Sequence, residues 1–406
     1  MRANGVRRVV TTLLGVLFLL AGTGCDQSAG QSTLIIWHPW GGAELQALKE
    51  AIHGFEKLHP KVEILALQVP SDALQDKYLR SSAANGGPDL LIGPVDWIGK
   101  FAQSQVISPL DTEIATASLR RYLPTALAPL RYHHHLYALP ESMETLALYY
   151  NKSLLSGKPP STLQSLFITA NSPDYWHGEY LLAYNTQFFF SAGYLFGMGG
   201  RLFSPSGAVS LVTPAAIRWL NLLHDLKTDP KMAAKSDYGR ADALFRDGKA
   251  AMTINGPWAL DDYRKALGKN LGVAMLPKVS NTQPALPFVG VKCFMFNPNS
   301  TPVARSRAIA FASYMTSPKI ASMMERKAGH IPAVRGVKIP AGDPLQAFVE
   351  QARYGTPLPS DPAMKEVWAP MDEAIEKVMT DVASPDAAMA KAQRIIAAKI
   401  QAVREQ

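Results

Sequence analysis

Cysteine is nearly absent from this chain: 406 residues contain two, Cys25 and Cys293. A disulfide-stapled framework is excluded, and a chain this long buries ample core without one. Long apolar runs are missing as well. Val9 to Ala21 is broken by Thr11, Thr12 and Gly15 and falls short of the roughly 20 residues a spanning helix needs. The formal charge is +8, yet no basic run is interleaved with aromatics, which excludes a nucleic-acid stripe. The sequence holds no Gly-x-Ser-x-Gly elbow, no His-Glu-x-x-His pair and no Walker sequence. Internal repeats and low-complexity segments are absent too. His133-His134-His135 is a metal candidate by residue type alone. Three consecutive residues of a regular element cannot all face one ion, and structural zinc wants four ligands, so no metal is expected.

What is present begins with a leader. Arg2, Arg7 and Arg8 precede the apolar run, and Gly22-Thr23-Gly24-Cys25 supplies small residues for cleavage, so residues 1–25 read as a secretory signal. Subtracting those three arginines from +8 leaves +5. Cys25 after small residues resembles a bacterial lipoprotein box. That resemblance implies a lipidated Cys25 and a protein held at the plasma membrane, in the periplasm or elsewhere outside the cytoplasm. Gly22 stands where Leu, Val or Ile is usual, which leaves open ordinary cleavage and a free soluble protein. Residues 26–32 form a polar, small-residue tether. Cys293 lies in the apolar run Phe288 to Phe296 and is expected to pack as a small hydrophobe.

From Ser32 the chain alternates strand and helix patterns, and its 47% hydrophobic content is that of a globular protein. Ser32 to Trp37 is β-rich and ends at His38-Pro39-Trp40-Gly41-Gly42. Glu44 to Leu58 then places Leu45, Leu48, Ile52 and Phe55 on one helical stripe. Val62 to Val69 predicts a strand, Asp72 to Ala84 a helix, and Asp89 to Ile92 a strand closed by Gly93-Pro94. This order argues for an α/β fold with a largely parallel sheet. Trp40 and Asp96-Trp97 follow successive strands, so both turns fall on one sheet edge, where open α/β sheets bind ligands. The alternation at Leu146, Leu148 and Tyr150 suits a strand crossing between lobes, and Phe288 to Phe296 a strand returning. Phe188, Phe189 and Phe190 are expected to be mostly core, with only one ring facing the cleft, because alternate strand residues point opposite ways. Pro214 to Leu226, Asp237 to Arg246, Val303 to Met315, Leu345 to Ala352 and Trp368 to Ile400 read as helices.

The most informative stretch is Ala251 to Tyr263. A short β-prone run stops at Asn255-Gly256-Pro257, and Pro257 suits the first turn of a helix, where its missing N–H costs nothing. A strand that turns sharply into a helix delivers Trp258 to the sheet's carboxyl edge. The plainer reading is an ordinary βα turn with a core tryptophan.

Met-Thr-Ile-Asn-Gly-Pro-Trp at 252–258 is similar to a segment of maltose-type solute-binding proteins of ABC importers. So are the Ile-Ile-Trp opening, Phe-Glu-Lys-Leu-His-Pro at 55–60, Gly-Pro-Asp at 87–89, Ala-Gln-Ser at 102–104, Met143 to Leu154, and Pro-Phe-Val-Gly-Val at 287–291. The likeness spans nearly the whole mature chain. It implies a two-lobed periplasmic-binding-protein fold whose hinge closes an interlobe cleft over sugar. The implied lobes are 33–142 plus 290–332 and 143–289 plus 333–406. Position by position, it makes Asp96 and Glu144 carboxylates that accept hydrogen bonds from sugar hydroxyls. It makes Trp258 and Trp368 tryptophans that stack on successive rings. Trp97 replaces an arginine of the family, Phe188 and Phe190 replace a glutamate and a tyrosine, and Trp40 to Gly42 replace an Asp-Lys pair. Trp40, Asp96, Trp97, Glu144, Phe188, Phe190, Trp258 and Trp368 are thus the candidate ligand residues. The departures leave maltose-, maltodextrin-, trehalose- and sucrose-like ligands open.

The residue types suit that chemistry without the resemblance. A sugar ring has apolar C–H faces, which flat aromatics cover, and a rim of hydroxyls, which carboxylates accept. The expected function is capture of a di- or oligosaccharide and delivery to membrane permease subunits, by a monomer that uses no cofactor. Two other readings stand beside it. Asp96 and Glu144 are also the pair a glycosidase would need, and a sugar-binding surface lipoprotein would need no transporter. Each residue has a plainer role as well: Asp96 as a helix cap, Glu144 on a strand surface, Trp40 and Trp368 in the core.

Overall fold

The computed structural model describes residues 32–204 and 206–404. The leader, the tether up to Gln31 and the lipidation candidate Cys25 lie outside the described residues.

Two sheets carry the fold, one in each lobe. The first runs in the order Ile331–Pro332, Ala138–Glu144, Phe288–Phe296, Leu90–Pro94, Ser32–His38, Val62–Gln68, with Thr356–Pro357 beside the start of Phe288–Phe296. The second runs Leu271–Ala274, Ala147–Asn151, Ala250–Asn255, Tyr180–Asn185, Met232–Lys235. In the first sheet Ser32–His38 pairs parallel with both neighbours, but Phe288–Phe296 pairs antiparallel with Leu90–Pro94 and with Ala138–Glu144, so the sheet is mixed and not largely parallel as expected. The helix Gly42–Leu58 buries Ala47, Leu48, Ala51, Ile52 and Phe55. Leu45 is only half-buried: the stripe is centred on Leu48, Ile52 and Phe55, and the two alanines let the backbone approach.

The chain passes between lobes three times before Ala352, and Thr356–Pro357 then returns to the first sheet. The crossing expected around Leu146, Leu148 and Tyr150 is made by two strands in different sheets, Ala138–Glu144 and Ala147–Asn151, joined by Thr145-Leu146. The Thr145 hydroxyl donates to the Phe288 carbonyl at 2.9 Å, tying the first crossing to the second. The second crossing runs through 275–287. The third follows Pro332 and leads to the helix Leu345–Ala352, where Phe348 packs on Tyr149 of the second sheet at 5.6 Å.

Two expectations are corrected. Trp368 to Ile400 is not one helix but two, Trp368–Met379 and Pro385–Arg404. Asp381 adopts φ 61 between them, and Pro385 has no N–H with which to continue the first. Phe188 to Phe190 do not alternate as a strand. They open the helix Phe188–Gly197, so a 3.6-residue period decides which ring faces where. Among the described residues no helix is long and apolar enough to cross a membrane.

Candidate functional site

In the second lobe, Tyr180–Asn185 pairs parallel with both Ala250–Asn255 and Met232–Lys235. The segments after their carboxyl ends therefore emerge on one edge: Phe188 to Phe190, Tyr238 and Trp258. Asn255 makes the turn before Trp258. Its side-chain carbonyl accepts the Gly256 N–H at 2.8 Å, its amide donates to the Tyr263 hydroxyl at 2.8 Å, and the Tyr149 hydroxyl donates to the Gly256 carbonyl at 2.8 Å. A Cβ on Gly256 would lie 2.1 Å from the Trp258 ring, so glycine is required for the indole to fold over the turn. The indole N–H donates to the Tyr238 hydroxyl at 3.2 Å, and Phe189 and Phe190 lie 6.4 and 6.5 Å from the ring.

The three phenylalanines divide sharply. Phe188 is 0% exposed and packs among Trp219, Phe288 and Trp368. Phe189 and Phe190 are half-buried on the side of Trp258. The structure thus places Phe188 in the core and Phe189, which the sequence did not single out, beside Trp258.

The first lobe contributes charge. Asp96 follows the strand Leu90–Pro94 in a short 3-10 turn that has no side-chain cap, so it is not spent on the helix end. Its carboxylate instead accepts the Trp368 indole N–H at 3.2 Å. Burial pushes the Asp96 carboxyl up to about 6, against the opposing pull of that N–H. Lys292 stands alone as a charge in the apolar strand Phe288–Phe296. Its ammonium bonds Glu44 at 2.5 Å, lies 3.8 Å from Glu144 and sits 5.9 Å from the centroid of Trp258 in the other lobe. Burial raises the Glu144 carboxyl, with Lys292 opposing. Burial would raise Glu44 as well, but Lys292 and His330 overcome it and hold Glu44 at about 2.

Two candidates sit deeper. Trp97 is 7% exposed, leaning on Phe101 at 5.7 Å with its ring over Gly93. Trp40 is 1% exposed and meets His330 edge-on at 5.1 Å; its indole N–H has no protein partner. Glu44, Lys292, His330, Phe189 and Tyr238 went unmarked by sequence reasoning. A lone lysine in an apolar strand was the available signal for Lys292. Elsewhere, His133 and His134 form the tight turn of the hairpin Arg131–Tyr132 and His135–Leu136, and His135 bonds Asp111 at 3.0 Å.

A cavity of about 590 Å³ opens between the lobes. Trp40, Glu44 and Lys292 line it from one side, Tyr238, Trp258 and Asp262 from the other. Its size and its mixture of aromatic faces with a few placed charges are those of a small-molecule site.

Two α/β lobes, several crossings between them and a ligand-sized cleft define a hinged binding protein. The chain belongs to the bacterial extracellular solute-binding protein family, whose model matches residues 50–349. It is 28% identical over 366 residues to a maltotriose-binding protein of Pyrococcus abyssi, covering 88% of this chain and 79% of the relative. It is 27% identical over 397 residues to a galactooligosaccharide-binding protein of Bacillus subtilis, covering 92% and 91%. Among solved structures it resembles the maltose/maltodextrin-binding domain MalE from Bdellovibrio bacteriovorus bound to maltotriose. There the TM-score is 0.83 at 27% identity, over 91% of this chain and all of that one.

Proposed function

We propose that this protein captures a di- or oligosaccharide outside the cytoplasm and hands it, chemically unchanged, to the permease subunits of an ABC importer. The observation that carries the reading is the pairing across the cleft. Trp258, with Phe189, Phe190 and Tyr238 around it, faces Glu44 and Lys292 of the other lobe, and Glu144 lies 3.8 Å from Lys292. Aromatic planes suit the C–H faces of a sugar, and ionised groups suit its hydroxyl rim. Ligand bridging both sides stabilises the closed arrangement, so binding shifts a hinge equilibrium between the lobes 33–142 plus 290–332 and 143–289 plus 333–406. Relatives named for maltotriose and galactooligosaccharide support a saccharide of two or more rings. The protein acts as a monomer held at the plasma membrane through a lipidated Cys25.

Asp96 and Glu144 bind hydroxyls here and do not hydrolyse. Asp96 is already committed to Trp368, and Glu144 to Lys292. The test is a thermal-shift screen of the mature protein against maltose, maltotriose, longer maltodextrins, trehalose, sucrose and galactooligosaccharides, followed by calorimetry. At least one saccharide is expected to bind near micromolar affinity, about −8 kcal/mol, with no glucose released on overnight incubation. A flat screen, or released glucose, overturns the reading.

A further inference from the structure

The first three segments that carry the chain between lobes each bring a charged group to one buried spot beneath the cleft. Glu141 and Glu144 lie on the strand before the first crossing, Lys292 on the strand after the second, and His330 directly before the strand that precedes the third. Glu44, in the first turn of the helix Gly42–Leu58, joins them from the cavity side. Both ring nitrogens of His330 are engaged. Nδ1 lies 2.9 Å from Glu141 Oε1, and Nε2 lies 3.0 Å from Glu44 Oε1. An ionised carboxylate only accepts, so both contacts are hydrogen bonds only when both nitrogens carry protons. The ring is 4% exposed, is braced edge-on by Trp40 and does not line the cavity.

We propose that His330 is a positioning residue for ligand capture: as an imidazolium it fixes the Glu44 carboxylate in the cleft and links it to Glu141 on a crossing strand. This rests on the saccharide-binding reading above. Glu44 needs such support, because it emerges from the first turn of a helix and would otherwise be free to follow Lys292. With one oxygen, Oε1, accepting from both Lys292 and His330, Glu44 keeps Oε2 for a hydroxyl. The far end of the chain, at Glu141, lies on the strand whose continuation is the first crossing. A ligand that pulls on Glu44 therefore pulls on the hinge.

The groups facing the ring act together. Glu44 reaches it from the helix, Glu141 and Glu144 from one strand, and Lys292 from the neighbouring strand; His38 lies beyond Trp40 and is lowered by burial. Burial would lower His330, but Glu141 and Glu44 outweigh it, with Lys292 opposing, and hold the ring at about 9. A raised histidine contributes fully below its ordinary 6.5, and that contribution is lost as pH rises through about 9.

Calorimetry of the mature protein with maltotriose, from pH 6 to 10, tests the assignment, alongside thermal unfolding of each variant. Wild-type affinity should be level from pH 6 to 8 and fall at least fivefold as pH passes 9. His330→Gln should bind at least tenfold more weakly at pH 7, with no further fall near pH 9, and His330→Arg should recover most of the affinity. If His330→Gln only melts earlier, while its affinity and pH profile match wild type, the residue is structural and the proposal is overturned. A wild type that binds no saccharide overturns this proposal together with the function it rests on. A wild type that binds with a flat profile through pH 10 overturns this one alone.

Discussion

Trp368 and Asp96 meet, indole N–H to carboxylate at 3.2 Å, although 272 residues separate them in the chain. The first residue of the helix Trp368–Met379 is thereby fastened to an acceptor that follows a strand of the first sheet. The contact satisfies a carboxylate that is 8% exposed and, among the described residues, has no cationic partner; Trp97 stands next to it in the chain with an apolar face.

That isolation makes Asp96 a pH-dependent cost. Its carboxyl is raised from 3.8 to about 6, so its stabilising protonated state is complete below pH 3.8 and is lost as pH rises through about 6. Two pK units correspond to about 3 kcal/mol, an upper bound on the cost of ionising it. Asp96→Asn is expected to raise the unfolding free energy at pH 7 by roughly 1–3 kcal/mol, and its advantage should shrink at pH 4.5. Urea titrations at the two pH values check the sign. An equal effect at both would refute it.

Gly256→Ala moves the Trp258 indole without deleting it, because the new methyl would occupy space the ring holds. Saccharide affinity should fall at least tenfold, about 1.4 kcal/mol, with the circular dichroism spectrum unchanged. Trp258→Ala should do at least as much. Calorimetry showing native affinity in either variant would remove Trp258 from the site.

Phe188 and Phe189 are adjacent and should fail differently. Phe188→Ala empties a fully enclosed position and is expected to cost about 3–5 kcal/mol of stability. Phe189→Ala, half-buried beside Trp258, should cost roughly 1–2 kcal/mol and weaken saccharide binding several-fold. Paired denaturation and binding measurements separate the two.

Lys292→Met would leave Glu44 and Glu144 facing one another without the cation between them. Breaking a buried pair from one side costs about 3–5 kcal/mol, so a clear loss in urea midpoint is expected at pH 7. Adding Glu44→Gln to Lys292→Met should return part of it. A double variant no more stable than the single would show that the pair is not coupled.

What the sequence determined by itself was local. Strand, turn and helix followed one another as the apolar spacing, Gly93-Pro94 and Asn255-Gly256-Pro257 required, because each of those signals acts within a few residues. The segment resemblance carried the two-lobed architecture and marked Asp96, Glu144, Trp258 and Trp368. Tertiary structure alone decided the partners. Glu44 meets Lys292 across 248 residues and His330 across 286, and no periodicity within an element reports a contact that distant. It also decided that Phe189 and Phe190, and not Phe188, turn towards Trp258. That choice depends on where a helix begins, and a one-residue change of phase rotates a side chain by about 100° around the axis.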